Sequence, residues 1–180
     1  MNDYLLPTLA KVLLPAIVIV FMVLVVAKKK LSLSEDIGFR APNFAGAAAF
    51  FVFWLVLIAA EELLGQSTPK PWRDFPVGII ALRILAIGIL GPIAEEIAFR
   101  GLLLFALKRT RLGVYGAIAV TSIVWSLVHT QYELPLLALL LFDGIVLGLA
   151  RHFTRSIYVP IAMHITGNLF SVWQSLQSAA

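Results

Sequence analysis

Residues 77–107 read VGIIALRILAIGILGPIAEEIAFRGLLLFAL, an apolar stretch interrupted by a few charged residues. A helix that crosses a bilayer needs about 20 mainly apolar residues, so this stretch is longer than one ordinary crossing. Gly91 and Pro92 lie near its middle, and an internal proline kinks or breaks a helix. The pattern predicts either one long tilted helix kinked at Pro92 or two helical pieces that meet there.

The composition of the whole chain is that of an integral membrane protein. Of 180 residues, 61% are hydrophobic and 13% are charged, whereas about a quarter of the residues in a soluble domain are charged. The net charge is only +4, and the basic residues lie mainly at the ends of apolar runs, which fits membrane orientation and no nucleic-acid partner. The chain has no cysteine, which excludes disulfides and thiolate sites.

Five more apolar runs are candidate spans, and together with residues 77–107 they predict an all-α fold. We expect a polytopic transmembrane helix bundle of about six to seven membrane helices, forming one integral membrane domain over residues 1–180. The first run is too long for a signal-peptide core and lacks a small-residue cleavage site, so it is interpreted as a retained span. The five runs are residues 5–27, 44–65, 112–129, 134–150 and 157–176.

The basic residues give an orientation if residues 77–107 cross the bilayer once. With six spans and the N-terminus outside, most basic residues fall on the inner side, as the positive-inside rule requires. Only Lys70 and Arg73 fall in an outer loop. The inner set comprises Lys28–Lys30, Arg40, Lys108–Arg111, Arg151 and Arg155.

Two glutamates and an arginine lie within the apolar stretch. Ionisable groups inside a span cost roughly 2.5–3.5 kcal/mol each on insertion scales and usually face the bundle interior or a wet cavity. Glu96 and Arg100 are four residues apart, with the acid on the N-terminal side, which favours an ion pair. Glu95 is turned about 100° away from Glu96 and stays available. The alternative is that all three form a buried packing network.

Later spans contribute further polar groups. His129 follows Trp125 by four residues, and His164 and Asn168 share one helical face in the same way. Each taken alone is explained by a hydrogen bond between membrane helices. Asp143 precedes Gly144 and Gly148, whose spacing is typical of close helix packing.

Taken together, these groups suit hydrolysis of an amide bond. Water attack needs a base for the water, donors for the developing negative charge and an acid for the leaving amine. A carboxylate, two imidazoles and a carboxamide supply those functions. The zinc signature H-E-x-x-H and the elbow G-x-S-x-G are absent, and Asp143 is the only aspartate within a span. A serine–histidine dyad using Ser126 stays open.

Three motifs in order resemble a known family. The sequences EEIAFRG, WSLVH and HITGN are similar to the motifs E-E-x-x-x-R, F-x-x-x-H and H-x-x-x-N or H-x-x-x-D of the CPBP intramembrane proteases, also called the CAAX protease and bacteriocin-processing or Abi family. The resemblance covers residues 76–172 as a catalytic core. Residues 1–75 then provide two N-terminal spans and connectors, in which EDIGFR is also similar to many bacterial members.

The resemblance implies a role for each matching residue. Glu95 and His129 would activate the attacking water, and His164 and Asn168 would stabilise the oxyanion. Glu96 and Arg100 would support the site. Trp125 stands where the family usually has Phe, a departure that we expect to preserve the packing beside His129 and to alter the shape of the substrate groove.

The resemblance also implies the partners and the compartment. We expect an intramembrane endopeptidase that lies in the lipid bilayer of a bacterial inner membrane and cleaves a membrane-anchored protein or peptide. The metal-independent mechanism is favoured, and if a metal such as zinc is present its ligands would be Glu95, His129 and His164. The alternatives are a non-catalytic bacteriocin-immunity or scaffold protein of the same fold, or a small transporter. Transporters often carry inverted repeats, and the sequence shows none beyond a weak echo of IAEEIAFR (93–100) in AAEELLGQ (59–66).

Overall fold

The computed structural model of the chain describes residues 2–63, 71–72 and 74–178. Within these ranges the chain is helical and contains no strand, which confirms the prediction of an all-α helical bundle. Lys70 and Arg73, predicted in an outer loop, lie outside the described residues. The long helices are α1 (Asn2–Lys29), α2 (Phe44–Leu63), α3 (Val77–Leu107), α4 (Gly113–Leu127), α5 (Leu134–Thr154) and α6 (Tyr158–Gln177).

Four of these helices are long and apolar enough to cross a membrane, namely α1, α2, α3 and α5. Helix α4 is apolar but has only 15 residues. Helix α6 is long enough to cross, but it carries the polar residues His164 and Asn168. Helices α4 and α6, which carry several of the predicted site residues, are therefore the least typical membrane spans of the bundle.

Helix α3 is a single continuous helix, so the two-piece alternative is wrong. Its α-helical turns alternate with π-helical turns over Ile84–Leu90 and Ile97–Leu103, which flank the α-helical segment Gly91–Glu96. Gly91 keeps helical dihedral angles, and its N–H donates to the Ala86 carbonyl, five residues back. The chain thus passes Pro92 by widening the helix rather than by ending it. Such π-turns are frequent at functional sites.

Helices α4 and α5 pack closely through two glycines, as the G-x-x-x-G spacing predicts. A Cβ on Gly144 would lie 3.0 Å from the Ser122 Cβ, and one on Gly148 would lie 2.8 Å from the Ile118 Cγ2. This approach brings Trp125, on α4, into the buried apolar cluster at the centre of the bundle. The cluster comprises Trp54, Trp125, Val146, Leu147, Ala150, Val159 and Met163.

The connector between α1 and α2 is held under the end of the bundle. It makes one π-turn, Leu33–Ile37, and leaves it at Gly38, whose φ of 95° lies in the left-handed region that favours glycine. The Gly38 carbonyl accepts the N–H of Ile157 at 2.8 Å, and the Ile37 carbonyl accepts Arg151 Nη2 at 3.0 Å. The connector is therefore bonded to the turn between α5 and α6.

The glycine packing gives a stability prediction. Gly148→Ala should lower the thermal stability of the protein in detergent micelles, because the new methyl group would overlap Ile118, which is itself buried. Overpacking of this kind costs about 1–3 kcal/mol. Gly78→Ala is the matched control, since no atom lies within 4 Å of its added Cβ. Equal melting temperatures for the two variants would contradict close packing of α4 on α5.

Candidate active site

Glu96 and Arg100 form a buried ion pair in the middle of the bundle. Arg100 Nη1 donates to Glu96 Oε1 at 2.8 Å, and neither side chain is exposed. Arg100 Nη2 donates further to the Gly144 carbonyl of α5 at 3.2 Å. The structure thus contains the pair predicted from the four-residue spacing, and Arg100 also links it to α5 by a hydrogen bond.

Glu96 has a further partner that helical spacing does not reveal. His164 Nδ1 lies 2.9 Å from the same Glu96 Oε1 that accepts from Arg100. A carboxylate paired with arginine is an acceptor, so His164 Nδ1 carries the hydrogen. Glu96 therefore fixes the ring of His164 and turns its Nε2 away, toward Glu95. It is a positioning residue for His164 as well as the counterion of Arg100.

Glu95 faces a different space from Glu96, as expected, and its side chain keeps 32% exposure. Its Oε2 accepts a 2.6 Å hydrogen bond from the indole Nε1–H of Trp125. This donor is the main finding at position 125 that sequence reasoning missed, because the prediction there concerned only packing and groove shape. A phenylalanine, the usual residue of the family that the motifs resemble, has no such hydrogen.

The two imidazoles approach Glu95 from different segments, His129 from the turn after α4 and His164 from α6. His129 Nε2 and His164 Nε2 each lie 4.0 Å from Glu95 Oε2, which is too far for a direct hydrogen bond. His129 Nδ1 lies 2.8 Å from the Trp125 carbonyl. A carbonyl only accepts, so this nitrogen carries the hydrogen and the Nε2 lone pair of a neutral His129 faces Glu95.

Trp125 is the packing centre of this group. Its ring meets His129 edge-on at 5.0 Å between centroids and His164 at 5.4 Å. The Arg100 guanidinium lies over the indole, 4.7 Å from its centroid, in a cation–π arrangement. One side chain thus orders both imidazoles and the buried cation, and it is only 2% exposed.

Asn168 is directed to α3 rather than to Glu95. Its Nδ2 donates to the Ile87 carbonyl at 2.8 Å. That carbonyl lacks its usual helical partner, because the N–H of Gly91 bonds to Ala86 instead and Pro92 has no N–H. The π-turn therefore creates an acceptor that Asn168 satisfies. Pro92, in the GPIAEE segment, is the sequence feature that could have indicated this free acceptor.

Two other polar residues from the sequence lie outside this group. Ser126 Oγ donates to the Leu137 carbonyl at 2.6 Å, an ordinary structural bond that does not support a serine–histidine dyad. Asp143 has one buried oxygen, Oδ1, without a hydrogen-bond partner in the described part of the chain. Glu95, His129 and His164 are the residues that the fold brings around one space.

The predicted metal ligands Glu95, His129 and His164 surround one space. Across the described ranges, no group of three or more His, Cys, Asp or Glu side chains is disposed to hold a metal ion. The set Glu95, His129 and His164 is oriented by the indole, the Trp125 carbonyl and Glu96. The mechanism proposed below is written for these side chains alone.

Comparison with known proteins places this geometry in a family. Residues 77–170 match the family described as Type II CAAX prenyl endopeptidase Rce1-like, a range that contains every candidate site residue. No solved structure matches the chain.

Curated bacterial proteins are similar over most of the chain. The Staphylococcus aureus protein named membrane-embedded CAAX protease MroQ is 27% identical over 71% of this chain and 54% of its own length. The putative membrane peptidase YdiL of Bacillus subtilis is 32% identical over 78% and 53%. An uncharacterised 24.3 kDa protein of Escherichia coli is 29% identical over 69% and 59%. The chain thus spans little more than half the length of each of these relatives.

The buried pair gives a stability prediction that separates the two glutamates. Glu96→Gln should lower the free energy of unfolding by about 3–5 kcal/mol, because it leaves the buried charge of Arg100 without its partner. Glu95→Gln makes the same chemical change at a side chain that is about a third exposed and should cost much less. Thermal unfolding of the two variants in one detergent tests this. Equal losses of unfolding free energy would contradict the assignment of Glu96 as the structural carboxylate and Glu95 as the available one.

Proposed function

Because this chain belongs to the Type II CAAX prenyl endopeptidase Rce1-like family, we propose that it is an intramembrane endopeptidase that hydrolyses a peptide bond of a membrane-associated protein or peptide. The observation that carries the proposal is the convergence of His129 Nε2 and His164 Nε2 on Glu95 Oε2, at 4.0 Å each. Ionisable groups inside a membrane bundle cost free energy, and they usually mark a functional site.

Glu95 and His129 activate the attacking water in this proposal. Both facing atoms are acceptors, and their 4.0 Å separation suits a water that bridges them. Such a water donates its hydrogens to Glu95 Oε2 and His129 Nε2 and turns its oxygen lone pairs toward the substrate carbonyl. As the oxygen attacks, one proton passes to this pair and is later delivered to the leaving amine nitrogen, which completes general acid–base catalysis.

His164 stabilises the oxyanion. Its Nδ1–H is held by Glu96, so it donates to the developing negative charge through Nε2 in the imidazolium form. The Glu96 carboxylate orients the ring in the way that a buried aspartate orients the histidine of a serine-protease triad. Arg100 in turn holds Glu96 in place. The ion pair thus acts on the reaction through His164.

Asn168 is the second donor in this proposal. An amide nitrogen carries two hydrogens, of which one is bonded to the Ile87 carbonyl. The other is the donor for the oxyanion. The bond to α3 sets the distance between the amide and the helix that carries Glu95, so it limits the freedom of the oxyanion donor.

The proposal extends to the substrate class and the compartment. The substrate is a prenylated CAAX-type tail, a bacteriocin leader or a membrane-anchored sorting or regulatory peptide. The three bacterial relatives and the apolar spans support a bacterial inner membrane, in which prenylated tails are the least favoured of the three substrates. The basic helix ends face the cytoplasm under the positive-inside rule.

Removal of either member of the water-activating pair should abolish cleavage. Glu95→Gln and His129→Gln are each expected to reduce turnover by about 10²–10⁴-fold, the usual contribution of general acid–base groups, while the protein still inserts and folds. Glu133→Gln is the matched control, because Glu133 is an exposed carboxylate close to His129 in the chain. Normal cleavage by Glu95→Gln would exclude its role in water activation.

Because the substrate is unknown, the measurement compares membrane peptides and small proteins from strains that carry the wild type, Glu95→Gln or Glu133→Gln. Products formed in the wild type and the control but absent from Glu95→Gln identify both the reaction and the substrate. Cleavage by purified protein should persist after treatment with a metal chelator. If every product of the wild type also forms in the Glu95→Gln strain, the role of Glu95 in cleavage is contradicted.

The indole donor predicts a change in turnover. Trp125→Phe keeps an aromatic ring between the histidines but removes the hydrogen bond to Glu95. Hydrogen bonds to charged groups contribute about 1.5–3 kcal/mol, so kcat should fall at least about tenfold while KM stays unchanged. Trp173→Phe, at an exposed tryptophan of α6, is the control. An unchanged kcat would mean that Glu95 is positioned without the indole.

A further inference from the structure

A second polar cavity lies at the basic end of the bundle, and Glu95, His129 and His164 are not part of its lining. It has a volume of about 70 Å³ and lies among the connector, the ends of α3 and α5 and the start of α4. That volume holds several water-sized groups. Its charged and titratable lining consists of Asp36, Arg100, Lys108, Arg151 and His152, with Leu104, Phe105 and Val114 as apolar wall.

The lining contains buried donors that lack acceptors. Arg151 is 8% exposed, and its guanidinium makes one hydrogen bond in the described part of the chain, from Nη2 to the Ile37 carbonyl. Its Nε is buried without a partner among those residues, as is the Nε of Arg100. A guanidinium carries five N–H groups, and burying them without acceptors is unfavourable. The residues that line the cavity therefore carry more buried donors than acceptors.

The same lining carries a surplus of positive charge. Arg100 is neutralised by Glu96, but within the described ranges neither Lys108 nor Arg151 has a carboxylate within 4.0 Å. Partial burial of the ammonium group and then the positive charges of Arg151 and Arg109 lower the pKa of Lys108, which the Asp36 carboxylate opposes. Asp36 Oδ2 accepts the Ser32 N–H at 2.8 Å. An anion beside Lys108 and Arg151 would relieve this repulsion.

We propose that this cavity binds a phosphate group, as an anionic lipid headgroup presents it at the basic end of the bundle. Guanidinium and ammonium donors that converge on a small space are the usual phosphate site. Basic pockets between membrane helices on the cytoplasmic side bind anionic headgroups, and the surrounding helix ends carry Lys28–Lys30, Lys108–Arg111 and Arg155. Arg100 joins this cavity to the Glu96–His164 pair, so bound phosphate stabilises the wall of the candidate active site.

The test measures the melting temperature of the purified protein in a neutral detergent as ligand is added. The probes are dioctanoyl phosphatidylglycerol, dioctanoyl phosphatidylcholine and inorganic phosphate, all at one ionic strength. Phosphatidylglycerol should raise the melting temperature in a saturable way. Stabilisation by phosphatidylglycerol alone supports a headgroup, and equal stabilisation by inorganic phosphate supports a free phosphate in the same site. The proposal is overturned if phosphatidylcholine raises the melting temperature as much as phosphatidylglycerol does, or if none of the probes raises it.

Three variants make the test specific. Lys108→Gln should weaken binding about fivefold, the scale of one basic residue near an anionic headgroup, and it should fold because Lys108 is exposed. Asp36→Asn should strengthen binding, since it removes the only carboxylate of the lining and keeps an oxygen acceptor for Ser32. Arg111→Gln removes an exposed charge at the same end outside the cavity and should change little. Equal effects of Arg111→Gln and Lys108→Gln, or weaker binding by Asp36→Asn, overturn the proposal.

Discussion

The candidate site depends on the buried contact of Glu96 with both Arg100 and His164. A carboxylate at 0% exposure is tolerated only where its charge is compensated. Arg100 supplies the charge and reaches α5 through the Gly144 carbonyl, and His164 supplies a second donor from α6. Three helices are thus fixed around one oxygen, which sets the position of the His164 ring without using Glu95.

Glu95 can remain partly exposed because its neighbour carries the structural role. The indole of Trp125 orients it, and the edges of two imidazoles meet that same indole. The close approach of α4 and α5 at Gly144 and Gly148 brings the tryptophan into the core. Small residues at a helix interface therefore determine where an aromatic donor lies in the site. The packing of α4 on α5 thus determines which donor orients the Glu95 carboxylate.

Local features of the site could be predicted from the sequence, whereas contacts between distant segments could not. The Glu96–Arg100 pair and the different direction of Glu95 follow from helical spacing, and the helix positions follow from hydropathy. The Glu96–His164 contact joins residues 68 positions apart, and no periodicity encodes it. The Ile87–Asn168 bond depends on a π-turn, which hydropathy does not distinguish from an α-turn. The sequence shows Trp125 as a departure from the family's usual phenylalanine, and the prediction concerned packing and groove shape. The role of its indole N–H depends on the position of Glu95 beside it, which the sequence does not show.

The shortness of α4 has a consequence for hydration. Fifteen residues at 1.5 Å each span about 22 Å, less than the roughly 30 Å of a hydrocarbon layer. The bilayer accommodates such mismatch by thinning locally, and irregular backbone at that depth is tolerated where it lines an aqueous recess. His129 stands in the turn just beyond this helix. A depression of the lipid surface there would carry bulk solvent to His129 and to the candidate site beside it.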